Sequence, residues 1–206
     1  MATLIKESSE EIAPRGRGRP RDEEARARIL DATLQVLENT CFPNATVDAI
    51  AERAGVSKAT IYRWWPNKAA VFIEALREAT AQELPFPDTG DLEQDVNLQL
   101  QNFVKLLTGP RGRTFKAFIA AAQSDPEVAE AYRELWIKPR RVLTRERLKR
   151  HQRAGRMVGN VDLEALLDVL YGGFYFRLMA GHGDLSPAFA DEAAKIALQG
   201  LVPRGK

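Results

Sequence analysis

Apolar residues recur along this chain at intervals of three and four, the spacing of helices that bury one face. Ile29, Leu30, Leu34 and Leu37 mark a first helix over 22–38. Asp22 is its expected N-cap, with Glu23 and Glu24 in the first turn, where the helix dipole favours acids. The segment NTCFPN then breaks the pattern. Thr46 caps a short second helix in which Val47, Ile50, Ala51 and Ala54 form a one-sided stripe. Gly55 follows at once, the residue best suited to a left-handed cap. Ser57 caps a third helix, KATIYRWW, which Pro66 stops, and Asn67 caps a fourth over 68–84. After the break PFPDTG, helical periods cover 91–108, 114–123, 126–154, 162–180 and 186–201, and Pro139 must kink the helix over 126–154 or end a turn there. β-branched residues never alternate over a useful length, so no strand is expected. The pattern predicts an all-α chain: an N-terminal three-helix unit of the helix-turn-helix kind, then a larger helical bundle. The expected boundaries are 1–21 for a disordered basic arm, 22–68 for the small unit and 69–206 for the bundle.

Charge adds to this picture through its placement. The net charge is only +2, but PRGRGRPR carries Arg15, Arg17, Arg19 and Arg21 with no acid. Between Lys138 and Arg156 stand nine basic residues and one acid, Glu146. Local asymmetry of this kind governs binding more than the total does. Composition also excludes several classes. No apolar run is long enough to cross a bilayer, and MATLIKESSEE has no signal-peptide pattern. The lone cysteine, Cys41, rules out an internal disulfide, suits a reducing cytoplasm, and reads as a small buried hydrophobe. His151 and His182 are the only histidines, and neither a phosphate-binding glycine loop nor metal-ligand spacing occurs. Catalytic residues, metal and cofactor are therefore not expected.

The third helix carries the most specific chemistry. Ile61 and Trp65 lie four apart and can bury against Val47, Ile50, Ala51 and Val56. Lys58, Ala59, Thr60, Tyr62 and Arg63 are then left outside. A helix that enters a DNA groove needs a small residue for close approach, hydroxyls for phosphates and cations for phosphates or base edges. Thr46, at the start of the second helix, suits a phosphate oxygen. Lys68 opposes the dipole of the fourth helix, a cost that points to an external anion.

The run TVDAIAERAGVSKATIYRWWPNKAAVFIEAL resembles the DNA-binding signature of the TetR/AcrR family of bacterial regulators, over about residues 24–76. The shared features are a threonine opening the second helix, an Ala-Gly-Val-Ser turn, Tyr-x-x-aromatic and Pro-x-Lys; Trp65 stands where that family usually has Phe. The resemblance implies backbone contacts from Thr46, Thr60, Tyr62 and Lys68. It also implies a phosphate or base-edge contact from Lys58 and groove packing by Ala59. Ser57, in the turn, belongs to the same surface, and Arg63 joins on chemistry. The arm has two readings. GRPR resembles an AT-hook core that lies extended in a narrow minor groove; the alternative is a solubilising basic tail.

Farther on, DPEVAEAYRELWIKPRR and DVLYGGFYFRLMAGHGDLSPAFADEAAKIALQGL resemble C-terminal effector-binding and dimerisation domains of one branch of the family. Leu163, Leu166, Leu167, Leu170, Phe174 and Leu178 form one apolar stripe; Ala190, Ala193, Ala194, Ala197 and Leu201 form another. One chain offers little to cover both, so a homodimer through them is expected. Phe103, Phe115, Phe118, Tyr132, Trp136, Tyr171 and Tyr175 read either as the wall of an effector pocket or as ordinary helical core. The basic run 138–156 reads as a solvated face, or as a lure for an acidic effector or for DNA. LVPRG at the terminus is either native or a protease site added for expression. The expected function is that of a cytoplasmic, homodimeric, double-stranded-DNA-binding regulator: a repressor released from a palindromic operator by a small molecule. The alternative is a C-terminal domain that answers to a protein partner or to no ligand.

Overall fold

A computed structural model describes residues 19–40, 42–81 and 84–199. Arg15, Arg17, Cys41 and the LVPRG terminus lie outside them. The described residues are helical throughout, with no strand. The helices are α1 (Arg19–Asn39), α2 (Val47–Ala54), α3 (Lys58–Trp64), α4 (Lys68–Thr80), α5 (Leu92–Thr108), α6 (Gly112–Ala121), α7 (Pro126–Ala131), α8 (Lys138–Arg153), α9 (Leu163–Ala180) and α10 (Pro187–Leu198). None is long and apolar enough to cross a membrane.

Local chemistry explains most of the boundaries. Thr46, Ser57, Asn67, Asp91, Asp125, Asp162 and Ser186 each accept a backbone N–H of the turn they open. Gly55 closes α2 at φ 65°, a left-handed conformation that costs glycine nothing. The start of α1 differs from expectation. Its backbone is helical from Arg19, so Asp22 is not the cap, and Arg19 and Arg21 belong to a helix and not to an extended arm. Pro20 permits this because a missing N–H goes unnoticed in a first turn.

The stretch over 126–154 is not one regular α-helix. The turn before Pro139, Tyr132–Ile137, widens into a π-helix in which Lys138 N–H reaches the Arg133 carbonyl, and α8 continues from there. The wider turn accommodates the proline ring, which clashes with a carbonyl in regular α-geometry.

Helix α4 is apolar nearly all round, with Ala69, Ala70, Val71, Phe72, Ile73, Ala75 and Leu76 buried. Such a helix must be enclosed. It packs on α1 on one side and on α7 and the π-turn on the other. Small unit and bundle therefore share one helix.

Helices α5, α8, α9 and α10 form the far end of the molecule. The stripe Leu163, Leu166, Leu170, Phe174 and Leu178 is buried within one chain, as are Ala190 and Ala194. Phe174 packs against Phe103 and Phe189, with ring centroids at 5.9 and 4.9 Å. These seven residues thus cannot form a dimer face; α5, α8 and α10 cover what a partner was expected to cover. Ala197 alone of the expected set stays half-exposed.

A buried polar clamp ties α5 to α8. Asp95 Oδ2 accepts from His151 Nε2 at 3.0 Å, and its Oδ1 accepts from the Thr89 N–H and hydroxyl at 2.8 and 2.7 Å. Arg156 donates to His151 Nδ1, which leaves the ring proton on Nε2. Burial raises the Asp95 pKa, but the hydrogen bonds from Thr89 and His151 outweigh it and hold the carboxyl below its ordinary value. A depressed carboxyl contributes stability above its unfolded pKa and loses it as pH falls through the folded one. Urea midpoints of the wild type should therefore decline below about pH 4. Asp95→Ala should lower stability at pH 7 by about 2–3 kcal/mol, because it strands buried donors, and should flatten the acid limb.

Candidate DNA-binding surface and ligand cavity

Helix α3 presents two contrasting faces. Ile61 and Trp65 are buried, and the Trp65 indole N–H donates to Glu74 at 2.6 Å, tying the end of α3 to α4. Glu74 also receives Arg26 of α1, so one carboxylate joins three helices. Outside lie Ser57, Lys58, Ala59, Tyr62 and Arg63, all exposed, with Tyr62 50% accessible. Thr46 is exposed at the head of α2. Thr60 is half-buried, its hydroxyl 3.0 Å from that of Ser57. Of the residues expected to meet DNA, Thr46, Ser57, Lys58, Ala59, Tyr62 and Arg63 are thus exposed on α2, α3 and their caps, while Thr60 and Lys68 are half-exposed.

Lys68 has an internal role. Its ammonium donates to the Phe42 carbonyl at 3.4 Å and lies 4.8 Å from the centre of that ring. The cation at the start of α4 is offset from within the protein, so its position no longer implies an external anion.

One residue on this surface went unnoticed in the sequence. Asp48, exposed in the first turn of α2, pairs with Lys58 at 2.6 Å. That hydrogen bond, with the carboxylate charge, raises the Lys58 pKa. Its signal was its place off the buried stripe of Val47, Ile50, Ala51 and Ala54, which leaves Asp48 exposed.

The second site is a cavity of about 70 Å³ among α5, the π-turn, α8 and α9. Phe103, Trp136, Tyr171 and Tyr175 line it, as one reading of the aromatics required. Phe115, Phe118 and Tyr132 do not. Phe115 packs on Trp136 at 4.9 Å, and Phe118 packs on Phe42 at 4.7 Å. The Tyr132 hydroxyl donates to that of Tyr175 at 3.1 Å. Burial raises the pKa of Tyr132, Tyr171 and Tyr175, so all three stay protonated at neutral pH.

The lining also includes Gln99, Arg140 and Thr144, none of which aromatic spacing identifies. Gln99 did have a signal, as a polar residue in step with Leu92, Val96 and Phe103 on the buried face of α5. Arg140 had none within its run of cations. Its guanidinium stacks 4.0 Å from Trp136 and donates to the hydroxyl of Thr80, the last residue of α4, at 3.2 Å. One lining residue of the cavity is therefore bonded to α4, the helix whose other end adjoins α3.

Comparison with known proteins agrees with this layout. Residues 29–75 match the family model "Bacterial regulatory proteins, tetR family", and residues 86–197 match "Tetracyclin repressor-like, C-terminal domain". This chain belongs to the TetR family. A TetR-family relative, the HTH-type transcriptional regulator YdeS of Bacillus subtilis strain 168, is 38% identical, covering 90% of this chain and 93% of its own. The DNA-binding transcriptional repressor TetR of Mycobacteroides abscessus is 28% identical, covering 90% and 97%. Among solved structures, the TetR family transcription regulator SCO0332 superposes with a TM-score of 0.78 at 36% identity, covering 87% of this chain and all of its own. The protein is thus a helix-turn-helix transcriptional regulator of a family that binds DNA and acts as dimers.

Proposed function

We propose that the protein is a dimeric repressor that holds a palindromic operator with α2 and α3 and releases it when a small molecule enters the cavity. In this reading residues 22–68 are the DNA-binding unit, 69–206 the effector-binding and dimerisation unit, and α4 the link. The observation that carries it is the bond from cavity-lining Arg140 to Thr80, at the end of the helix whose other end adjoins α3. A ligand that binds one arrangement of α4 better than another must shift DNA affinity by linkage. A cleft of about 510 Å³ between α3–α4 and α7, lined by Trp64, Pro66 and Glu130 among others, gives the reading head room to move.

The dimer face lies beside the stripe expected from sequence. Val169, Gly172, Gly173, Phe176 and Met179 form an exposed row along α9, and Ile196 extends it on α10. Val169 and Phe176 are each 65% exposed and Ile196 59%. An exposed apolar surface of this kind suits a second copy packed across a two-fold axis, with Gly172, which has open space beside it, permitting close approach. Two recognition helices then stand about one DNA turn, roughly 34 Å, apart.

Binding-site selection from random duplexes tests the function: an inverted repeat with half-site centres about one turn apart is the expected product. No enrichment over input at low salt rejects the reading. The pair of Asp48 and Lys58 yields a finer expectation. Asp48→Asn removes an acid from the DNA-facing side and releases Lys58, so operator affinity should rise several-fold at about 50 mM salt. Lys58→Ala should lower affinity and reduce the salt slope by about one. Fluorescence anisotropy across a salt series measures both, and unchanged slopes would show that Lys58 meets no phosphate.

A further inference from the structure

The cations of α8 divide by what they face. Arg141 and Arg145 hold Glu164, with Arg141 also reaching Asp168 at 2.5 Å. Arg147 and Arg150 share Asp88, and Lys149 pairs with Glu146. Much of the basic run is therefore paired with carboxylates at the surface. Arg140, in the middle of it, meets no carboxylate among the described residues. Its Nε is shut off from solvent without an acceptor, and Thr80 receives a single bond from Nη2. A guanidinium offers five donors in a planar fork. Burial pulls its pKa down and the neighbouring tyrosines Tyr175 and Tyr171 offset part of that, but an arginine stays charged.

The rest of the lining also favours an incoming acceptor. The Gln99 amide oxygen has no partner, while its nitrogen is placed 3.2 Å from the Tyr171 hydroxyl. Turning the amide over lets Tyr171 donate to the oxygen and frees the NH2 group. Phe103, Trp136 and Tyr175 supply flat apolar walls. The cavity thus combines one unmatched cation, neutral donors and an aromatic lining, with no unmatched anion.

We propose that the effector is a small monocarboxylate with an aromatic or short aliphatic body, bound with Arg140 as its counter-ion. This rests on the effector-controlled reading above and specifies the ligand class. A single negative charge is indicated because the other cation of the lining, Arg141, is already spent on Glu164 and Asp168. A dianion such as a phosphate ester lacks a second counter-charge. A carboxylate on the Arg140 fork competes with the Thr80 hydroxyl, so occupancy loosens the hold of α8 on α4. The cavity of about 70 Å³ must widen to admit such a body, and the π-turn that carries Trp136 is the segment beside it whose helical geometry is already irregular.

The test uses the full chain in thermal melts with benzoate and hexanoate, each beside its primary amide, for wild type, Arg140→Gln and Arg140→Lys. Tryptophan fluorescence provides a second readout, since Trp136 lies under the guanidinium. At tenfold excess over Kd an acid should raise Tm by about 3–6 °C while its amide does not. Arg140→Gln, its fold verified by circular dichroism, should abolish the shift, and Arg140→Lys should weaken binding about tenfold by loss of the planar fork. Equal shifts from acid and amide, or an unchanged response in Arg140→Gln, overturn the carboxylate but leave the effector cavity standing. If neither acid acts while a neutral compound from a broader screen both stabilises the protein and releases DNA, the ligand class falls alone. If no compound does either, both readings fall.

Discussion

Phe176→Glu should convert the protein into a folded monomer that binds a palindromic duplex about 10²–10⁴-fold more weakly. Phe176 is 65% exposed on α9, with its ring against His182, so the helical signal should survive the change. Across a two-fold axis two carboxylates would enter an apolar contact at once. Desolvating them costs roughly 4 kcal/mol, about a thousandfold in the dimer constant. The DNA deficit follows from geometry: two recognition helices on one rigid body bind the second half-site intramolecularly, and separate monomers lose that effective concentration. Light scattering and anisotropy on full and half operators measure the two effects. A variant that remains dimeric places the interface elsewhere. Phe174→Ala is the informative contrast. Phe174 is fully buried between α5 and α10, so its loss should lower stability by about 3–5 kcal/mol without a specific effect on assembly.

Trp65→Ala should dismantle the reading head while leaving the dimer intact. The backbone N–H of Trp65 closes α3 on the Ile61 carbonyl at 3.0 Å, and its buried side chain is tied to α4 through Glu74. Truncating a buried tryptophan costs about 3–5 kcal/mol through lost contacts and the void left behind. Operator binding should vanish in anisotropy, and urea unfolding should gain an early transition, while light scattering still reports a dimer. Trp65→Phe separates packing from hydrogen bonding. It keeps most of the ring volume but removes the donor to Glu74, which still has Arg26, so about 1 kcal/mol should be lost and DNA binding retained. A full-affinity Trp65→Ala protein would mean that α3 needs no anchor at its C-terminal end.

The exposed residues of α3 were legible because their placement depends on neighbours within a few positions. Thr46, Gly55 and Ser57 set the ends of α2 and the start of α3, and once Ile61 and Trp65 turn inward, Lys58, Ala59, Tyr62 and Arg63 must turn outward. Lys68 fails this logic because its partner, the carbonyl and ring of Phe42, comes from 26 residues earlier. Asp48 likewise reads as a surface acid until α2 and α3 are set side by side.

The caps of α2, α3 and α4 and the side of α3 left to solvent follow from the amino-acid sequence alone, because helix ends and amphipathic periods are written in local residue chemistry. Tertiary structure alone decided which surface covers which. An apolar stripe on α9 requires cover but does not name it, and α5, α8 and α10 supplied it, turning the exposed row of Val169 and Phe176 outward. It also decided which arginine of the cavity lining lacks a carboxylate. The acids that satisfy Arg141, Arg145, Arg147 and Arg150 are brought from Asp88, Glu164 and Asp168 by packing, and none is brought to Arg140. Pairings at such separations depend on distances in space, which periodicity along a chain does not encode.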